Sequence, residues 1–423
     1  MDLEGIARKL YPNTEEIRKK LSEEITFYKG VDYPLKEKLI NSIITEVKNS
    51  LEAEKVKEIL RYPRTGIKAG EAGLGSRGVG DHLIHERLLQ LSNLKGFEDA
   101  RLKEGILVSV DGIHSRLAYF PFLAGFHATR AALRDIMVKG ARPLGVIVDI
   151  HLSDDSDIGM LFDFEAGVLS VTDYLGIQVL AGSTLRVGGD MVIGERISGG
   201  IAAVGILGNK YFSRDNIHEG MEIVMTEGNG GGTITTTAIY NGYYDVIDET
   251  INLKDLETCK VINEELWQEV ESMTDVTNGG IRATSNEIPK GLSLEISVKK
   301  FKALINPKVL RMLEELQIDP LGLSIDSILI FTRDGEKIAK ELRKRGIRAD
   351  VIGKVIKADR PLIDLDSGEP LDMKFRESPY TPIKKVIGNY SPHSLDELKK
   401  RFDEALVFVN NKKENVLKTL KGS

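Results

Sequence analysis

Two aspartates in apolar surroundings are the first candidates for chemistry. Asp111 follows the apolar run 106–110, so its carboxylate falls at the end of a predicted strand. Side chains at strand ends line the crevice in which open α/β sheets bind ligands. A carboxylate there suits Mg²⁺, which takes one or two carboxylates together with substrate phosphates. An aspartate that caps the turn after the strand is an equal alternative.

Asp135 is the second aspartate, and it lies inside an otherwise apolar helix in the segment Arg134–Pro143. An acid in such a helix is costly unless it is solvated or paired. Asp135 has either a functional role or, as the alternative, a structural role in a salt bridge to Arg134 or Arg142. The segment closes as a helix C-terminus does, with a lysine, a glycine and then a proline.

Three loops are candidates for binding an anion. Gly66–Gly80 is dense in glycine, Gly228–Gly232 is a second glycine run, and Asp275–Gly280 combines an acid, a threonine, an asparagine and two glycines before a predicted helix. Free backbone N–H groups in such loops attract phosphates. None of the three has the spacing of a Walker loop. A mobile turn is the alternative for the first two, and an ordinary helix cap is the alternative for the third.

Alternating strands and helices must position these residues. In the first half, strands are predicted at 106–110, 144–150, 177–181 and 201–207, with helices at 125–139 and 159–175. A similar alternation begins near Tyr211 and includes a helix predicted over 256–272. This pattern predicts an α/β (α+β) fold with sheets backed by helices. The domains expected are a helical extension at 1–65, two α/β domains at 66–210 and 211–365, and a tail with a helix at 366–423.

The composition excludes several classes of protein. The 58 Lys and Arg against 64 Asp and Glu give a net charge of −6, which disfavours nucleic acid as a partner. The single cysteine, Cys259, excludes a disulfide scaffold and a multi-cysteine metal site. No apolar run reaches the roughly 18 residues of a membrane span, and the N-terminus has no signal-peptide pattern. A cytoplasmic protein is therefore expected.

The order of seven segments resembles the aminoimidazole-ribonucleotide synthetase (PurM-like) superfamily. That superfamily includes the hydrogenase maturation protein HypE, selenophosphate synthetase and thiamine-monophosphate kinase. The segments are Gly73–Asp81, Ser109–Gly112, Arg134–Pro143, Gly176–Thr184, Gly220–Val224, Asp275–Gly280 and Val351–Val355. Within the superfamily, Asn286–Ile288 and Ile318–Leu323 look most like HypE. The resemblance implies a PurM-like two-domain fold, with an N-terminal domain that forms a dimeric β-barrel-type interface and a C-terminal α/β sandwich domain.

The resemblance also implies ATP and Mg²⁺ as cofactors and a role for each matching residue. Asp111 and Asp135 would be metal ligands, and Asp275 and Asn278 would lie near the acceptor as catalytic residues. The residues that would bind the nucleotide are Lys68, Gly75, Ser76, Gly78, Gly80, Asp81, Ser183, Gly279 and Gly280. Ser183 stands where most members carry a carboxylate, and Asp190 is the candidate to replace that metal ligand.

Two functions follow from this resemblance. The first is an ATP- and Mg²⁺-dependent homodimeric enzyme that activates a carbonyl, amide or phosphate oxygen of a small-molecule acceptor by phosphoryl transfer. The second is an ATP-binding regulatory or maturation factor without turnover, which acts with a maturation-partner protein. The residue Ser183 and the lack of the C-terminal cysteine that HypE carries favour the second, whereas Asp111, Asp135 and Asp275 favour the first. A thiamine-phosphate or purine substrate is a third option.

Overall fold

The computed structural model describes residues 1–377 and 379–421 as helices, strands and connecting loops around three apolar clusters. The α-helices are α1 Leu3–Leu10, α2 Thr14–Lys29, α3 Lys36–Val56, α4 Val79–Leu91, α5 Pro121–Met137, α6 Gly159–Leu175, α7 Gly232–Asn241, α8 Ile247–Thr250, α9 Lys254–Val261, α10 Gly280–Asn286, α11 Val298–Ala303, α12 Pro307–Glu315, α13 Gly335–Lys344, α14 Pro382–Ile387 and α15 Leu395–Leu420. The strands are β1 Arg101–Lys103, β2 Ile106–Gly112, β3 Ala141–Leu152, β4 Gln178–Arg186, β5 Ile197–Leu207, β6 Glu222–Thr226, β7 Val270–Val276, β8 Leu292–Ile296, β9 Ser327–Thr332, β10 Ala349–Lys357 and β11 Leu362–Asp364. The predicted α/β fold with a helical N-terminal extension is confirmed.

The first sheet has one covered face and one open face. Its five strands lie in the order β1-β2-β5-β3-β4, and helices α5 and α6 pack on one side. Successive side chains of a strand point to opposite faces. In β2 the buried Leu107 therefore points towards the helices, whereas Ile106, Val108 and Val110 lie exposed on the open face. The first domain thus presents an apolar sheet surface that none of residues 1–377 and 379–421 covers.

The second sheet is covered on both faces. Its six strands lie in the order β11-β8-β10-β6-β9-β7, and β9 is buried at every residue. Val224 and Ile330 of this sheet belong to the same apolar cluster as Leu107 and Val146 of the first sheet. The two domains therefore share a continuous core, which fixes the side chains that face each other between them.

One predicted helix, that over 256–272, is wrong in its second half. Helix α9 ends at Val261, a π-helical turn follows at Ile262–Leu266, and β7 begins at Val270. Strand β7 pairs antiparallel with β9, and this long-range pairing overrides the local helical tendency of the segment. The strand matters for function because it carries Asp275 close to its C-terminal end.

Helices α1–α3 form the N-terminal extension around an apolar cluster of their own. The extension packs against the loop between β4 and β5, where Ile193 joins its cluster and the Leu3 N–H donates to the Met191 carbonyl oxygen at 2.8 Å. Lys29 adds an ion pair with Asp155 at 2.7 Å. Across residues 1–377 and 379–421, no helix combines the length and the apolar character that crossing a bilayer requires.

Candidate functional site

A cavity of about 570 Å³ lies where the two domains meet. The end of β2, one side of α5 and the glycine-rich loop line it from the first domain, and the loop after β7 lines it from the second. The side chains and backbone that matter below are those of Gly75, Arg77, Asp111, His114, His127, Arg134, Asp135, Gly232, Thr233, Asp275, Asn278, Asp326, Tyr380 and Lys384. Five of the fourteen site residues predicted from the sequence therefore face one common space: Gly75, Asp111, Asp135, Asp275 and Asn278.

The cavity brings Asp111 and Asp135 together. In β2, Asp111 lies on the same face as Leu107 and Ser109, and Ser109 donates a hydrogen bond to the Ala132 carbonyl oxygen of α5 at 2.7 Å. Because α5 covers this face, Asp111 points towards the helix that carries Asp135. Burial raises the pKa of Asp111, and burial together with Asp275 and Asp111 raises the pKa of Asp135 well above its usual range. Burial therefore destabilises the charged forms of both carboxyl groups, and a cation bound between them would stabilise those charged forms.

Arg134 lies at the centre of a second group of acids, with which it forms ion pairs. Its Nη1 contacts Asp255 at 2.9 Å and Asp326 at 3.0 Å, and its Nε donates to Asp275 at 2.5 Å. Arg130, one helical turn earlier, also pairs with Asp255 at 2.9 Å. The alternative reading of Asp135, a salt bridge to Arg134 or Arg142, is not what the structure shows, because Asp135 forms no ion pair in the described part of the chain.

The acids around Arg134 respond to it differently. Burial alone would raise the pKa of Asp326, yet the Arg134 and Arg130 guanidiniums outweigh burial and hold that pKa below its ordinary value. At Asp275 burial wins and raises the pKa to about 6, although Arg134 opposes it. The sequence gives no local signal for Asp255 or Asp326, since only the packing of distant segments brings them to Arg134.

The glycine-rich loop is held in shape by Asp81. The two carboxylate oxygens of Asp81, which is fully buried, accept hydrogen bonds from the Gly75 and Arg77 N–H groups, each at 2.9 Å. A Cβ on Gly78 would lie 2.4 Å from the Phe375 carbonyl oxygen, so the loop also packs tightly against the C-terminal segment.

Only part of this loop reaches the cavity. Gly75 and Arg77 line the cavity, whereas Ser76, Gly78, Gly80 and Asp81 do not. The Ser76 hydroxyl donates to the Gly73 carbonyl oxygen at 2.6 Å, and the Gly80 N–H donates to the Phe375 carbonyl oxygen at 3.4 Å. These residues therefore shape and anchor the loop in this structure.

The Asp275–Gly280 loop lies against the glycine-rich loop. Asn278 lines the cavity, and its Nδ2 donates to the Gly75 carbonyl oxygen at 3.4 Å. Gly279 has φ +91°, and a Cβ there would lie 2.6 Å from the Arg77 Cβ. Gly280 has φ +63°, and a Cβ there would lie 2.3 Å from the Leu321 carbonyl oxygen. Gly279 thus permits the close approach that places Asn278 beside the glycine-rich loop, and Gly280 permits a close approach to the Leu321 backbone.

Three residues named in the sequence lie away from the cavity of their own chain. Lys68 is mostly exposed and pairs with Glu71 at 3.1 Å. Ser183 is exposed on the edge strand β4, opposite Asp149 of β3. Asp190 is exposed in the loop after β4, where it pairs with Arg186. A single chain therefore does not bring these three to Asp111 and Asp135.

The chemistry of Asp111 and Asp135 fits a magnesium ion. Both offer hard oxygen donors on the cavity wall, and within the described residues neither forms an ion pair. Mg²⁺ characteristically takes one or two protein carboxylates and completes its shell with water and phosphate oxygens. In the part of the chain that the structure describes, no three or more His, Cys, Asp or Glu side chains are grouped so as to hold a metal ion.

The chain resembles known proteins along most of its length. The N-terminal domain of AIR synthase related proteins matches residues 97–207, and their C-terminal domain matches residues 218–365. The uncharacterized protein MJ1416 of Methanocaldococcus jannaschii is 41% identical, and the match covers 100% of this chain and 98% of that protein.

Solved structures share the fold. Hydrogenase maturation protein HypE in complex with ATP superposes with a TM-score of 0.53 and 19% identity, covering 71% of this chain and 96% of that one. AaThiL complexed with AMPPCP and TMP superposes with a TM-score of 0.55 and 14% identity, covering 72% and 97%. The chain is thus a PurM-like protein related to HypE, and it belongs to the AIR synthase related family.

Proposed function

We propose that this protein is an ATP- and Mg²⁺-dependent enzyme that activates an oxygen atom of a small acceptor by phosphoryl transfer. The observation that carries the proposal is the meeting of Asp111 and Asp135 in a cavity lined by two glycine-containing loops, where neither aspartate has an ion-pair partner among the described residues. The binding of ATP by HypE and of AMPPCP by AaThiL supports a nucleotide as the ligand of such a cavity.

In this proposal the chain's own residues bind and orient the reactants. Asp111 and Asp135 would hold Mg²⁺, which supplies positive charge to the nucleotide phosphates. Arg77 lines the cavity beside Gly75 and would face those phosphates, while Asn278 would contact the acceptor. Asp275 would act through Arg134, whose guanidinium it fixes. Phosphoryl transfer needs mainly such positioning and charge neutralisation.

The second candidate is an ATP-binding maturation factor without turnover. Two observations favour it: Ser183 supplies no carboxylate, and the Arg134 guanidinium already pairs with Asp275 and Asp326. Both observations reduce the number of acids free to hold a second metal ion.

A calorimetric titration separates these candidates. We expect ATP to bind the purified protein in the presence of Mg²⁺ and to bind much more weakly with EDTA. Release of ADP in the presence of small acceptors supports the enzyme, whereas ATP binding without ADP release supports the maturation factor. Failure of ATP to bind in Mg²⁺ contradicts both.

We further propose that the protein is a homodimer joined through the open face of the first sheet. Val108 is 49% exposed at the centre of this face, directly opposite Val204 of β5. Val108→Glu would place a carboxylate in an apolar interface and should convert the dimer into a monomer. Light scattering coupled to size-exclusion chromatography measures the change as a halving of the mass.

The matched control for the dimer is Val407→Glu on α15, where the valine is 62% exposed and far from the sheet in the chain. This variant should keep the mass of the dimer. A wild-type protein with the mass of one chain, or a Val108→Glu protein that remains dimeric, contradicts this interface.

A further inference from the structure

One part of the cavity wall is basic and comes partly from outside the two matched family domains. Tyr380 and Lys384 lie beyond residue 365, where the match to the C-terminal domain ends, and both line the cavity together with His114. Tyr380 is almost fully buried. The segment after β11 therefore contributes directly to the candidate site.

A chain of hydrogen bonds fixes these side chains. Burial, with Lys384 and Arg116 nearby, lowers the pKa of His114 to about 3, so its ring is neutral. The His114 Nε2 is 2.7 Å from the Tyr380 hydroxyl and its Nδ1 is 3.1 Å from the Thr236 hydroxyl. Lys384 can only donate, so the Tyr380 oxygen accepts from Lys384. This leaves the other N–H groups of Lys384 available to a ligand.

Two cations in this region have no acid to balance them. Within the described residues, neither Lys384 nor Arg116 forms an ion pair with a carboxylate. Arg116 instead lies over the Tyr240 ring, and its buried Nε has no hydrogen-bond partner. Burial first and Arg116 second lower the pKa of Lys384 to about 8, which shows how little negative charge surrounds it. Because partly buried cations without a partner are costly, an anionic ligand here would be strongly favoured.

The start of helix α7 lies beside this cluster. Gly232 lines the cavity, and a Cβ on it would lie 3.5 Å from the His127 Cβ and 3.6 Å from the His114 Cβ. The first N–H groups of a helix have no partner within the helix and carry partial positive charge. This ten-residue helix therefore adds anion-binding groups to those of Lys384.

His127 supplies the second, independent observation that points to a ligand. It is 5% exposed and lines the cavity, yet its Nδ1 has no hydrogen-bond partner. The Thr250 hydroxyl donates to the Ile247 carbonyl oxygen, so the Thr235 hydroxyl donates to Thr250 and accepts from His127 Nε2. The neutral ring then presents Nδ1 as an unused acceptor. An oxyanion that carries an O–H group, such as a monoprotonated phosphate, satisfies both this acceptor and the cations.

We propose that Lys384, the start of α7 and His127 form a subsite for a phosphate group of the acceptor, separate from the site of the nucleotide phosphates. The assignment of this phosphate to an acceptor rests on the function proposed above. The binding of a phosphate group is independent of that proposed function, because it can be measured in the absence of nucleotide.

The test is a calorimetric titration of the full-length protein with inorganic phosphate, alone and with saturating Mg²⁺ and AMPPCP. We expect Lys384→Met to weaken phosphate binding about tenfold or more, the loss typical of one charge-assisted hydrogen bond. Lys384→Arg should restore much of the affinity. Lys385→Met is the matched control, because Lys385 is exposed and donates to the Leu316 carbonyl oxygen at 2.9 Å. Sulfate, which has no O–H group at neutral pH, should bind more weakly than phosphate.

The outcomes that overturn the subsite are distinct from failure of the proposed function. Phosphate binding that is unchanged in Lys384→Met, or sulfate binding as tight as that of phosphate, contradicts the subsite. If AMPPCP displaces phosphate and Lys384→Met also weakens AMPPCP binding, this part of the cavity wall binds the nucleotide. That result also contradicts a separate phosphate subsite. Loss of ATP binding alone, with phosphate binding intact, contradicts the proposed enzyme and leaves the subsite standing.

Discussion

Arg134→Met should lower the free energy of unfolding by about 3–5 kcal/mol, the usual result of removing one partner from a buried ion-pair network. The guanidinium is 2% exposed and contacts Asp255, Asp275 and Asp326. Methionine fills much of the same volume but leaves carboxylates buried without their shared cation. Urea denaturation at pH 7.5 measures this loss of stability. The wild-type and variant proteins are compared with the same dependence of unfolding free energy on urea concentration.

The pH dependence of this loss has a definite sign. Removing Arg134 removes a charge that opposes the effect of burial at Asp275 and Asp326, so burial raises the pKa of both carboxyl groups in the folded variant, which then binds more protons than the unfolded chain. Its stability therefore falls as pH rises through those values, and the difference from wild type should be smaller at pH 5 than at pH 8. The control is Arg311→Met on α12, where the arginine side chain is 57% exposed and pairs with the exposed Asp245 at 3.2 Å, so the change should stay within about 0.5 kcal/mol. A loss for Arg134→Met below about 1 kcal/mol, or one that does not change with pH, contradicts the network.

The contrast between Asp135 and Arg134 shows what the sequence can predict about this site. Asp111 and Asp135 stand out because each interrupts an apolar pattern, and such interruptions are visible locally. The partners of Arg134 are not visible, because Asp255 and Asp326 come from distant segments that only the shared core of the two domains brings together. The same limit applies to Lys384, which lies on the short helix α14 and lines the cavity because segments distant in the sequence pack together.

The elements of the fold also differ in whether local sequence signals predict them. Helix α6 has the bounds predicted from its periodicity, because the amphipathic pattern and the closing Gly176 are both local signals. Strand β7 was missed because its identity depends on pairing with β9, some fifty residues later in the chain. The position of Asp275 at a strand end, which puts it in contact with Arg134, follows from that pairing rather than from the composition of the segment.

Asp111→Asn and Asp135→Asn should each weaken ATP binding in the presence of Mg²⁺ by about 100-fold, close to 3 kcal/mol, and should barely change ATP binding in EDTA. Both carboxylates lie on the cavity wall, and burial raises the pKa of each. Asparagine keeps the shape and removes the negative charge, so the folded protein is relieved of a buried charge while the metal loses a ligand. The effect therefore belongs to the metal-dependent part of the affinity alone.

Asp190→Asn is the matched control for this pair, because Asp190 is exposed, pairs with Arg186 and lies outside the cavity of its chain. The same substitution there should leave the Mg²⁺-dependent affinity within about twofold if a single chain completes the site. A large loss for Asp190→Asn would instead mean that a second chain brings this carboxylate to the cavity across the open sheet face. Equal losses with Mg²⁺ and with EDTA in Asp111→Asn would contradict metal binding by Asp111, since the defect would then lie in the nucleotide contact itself.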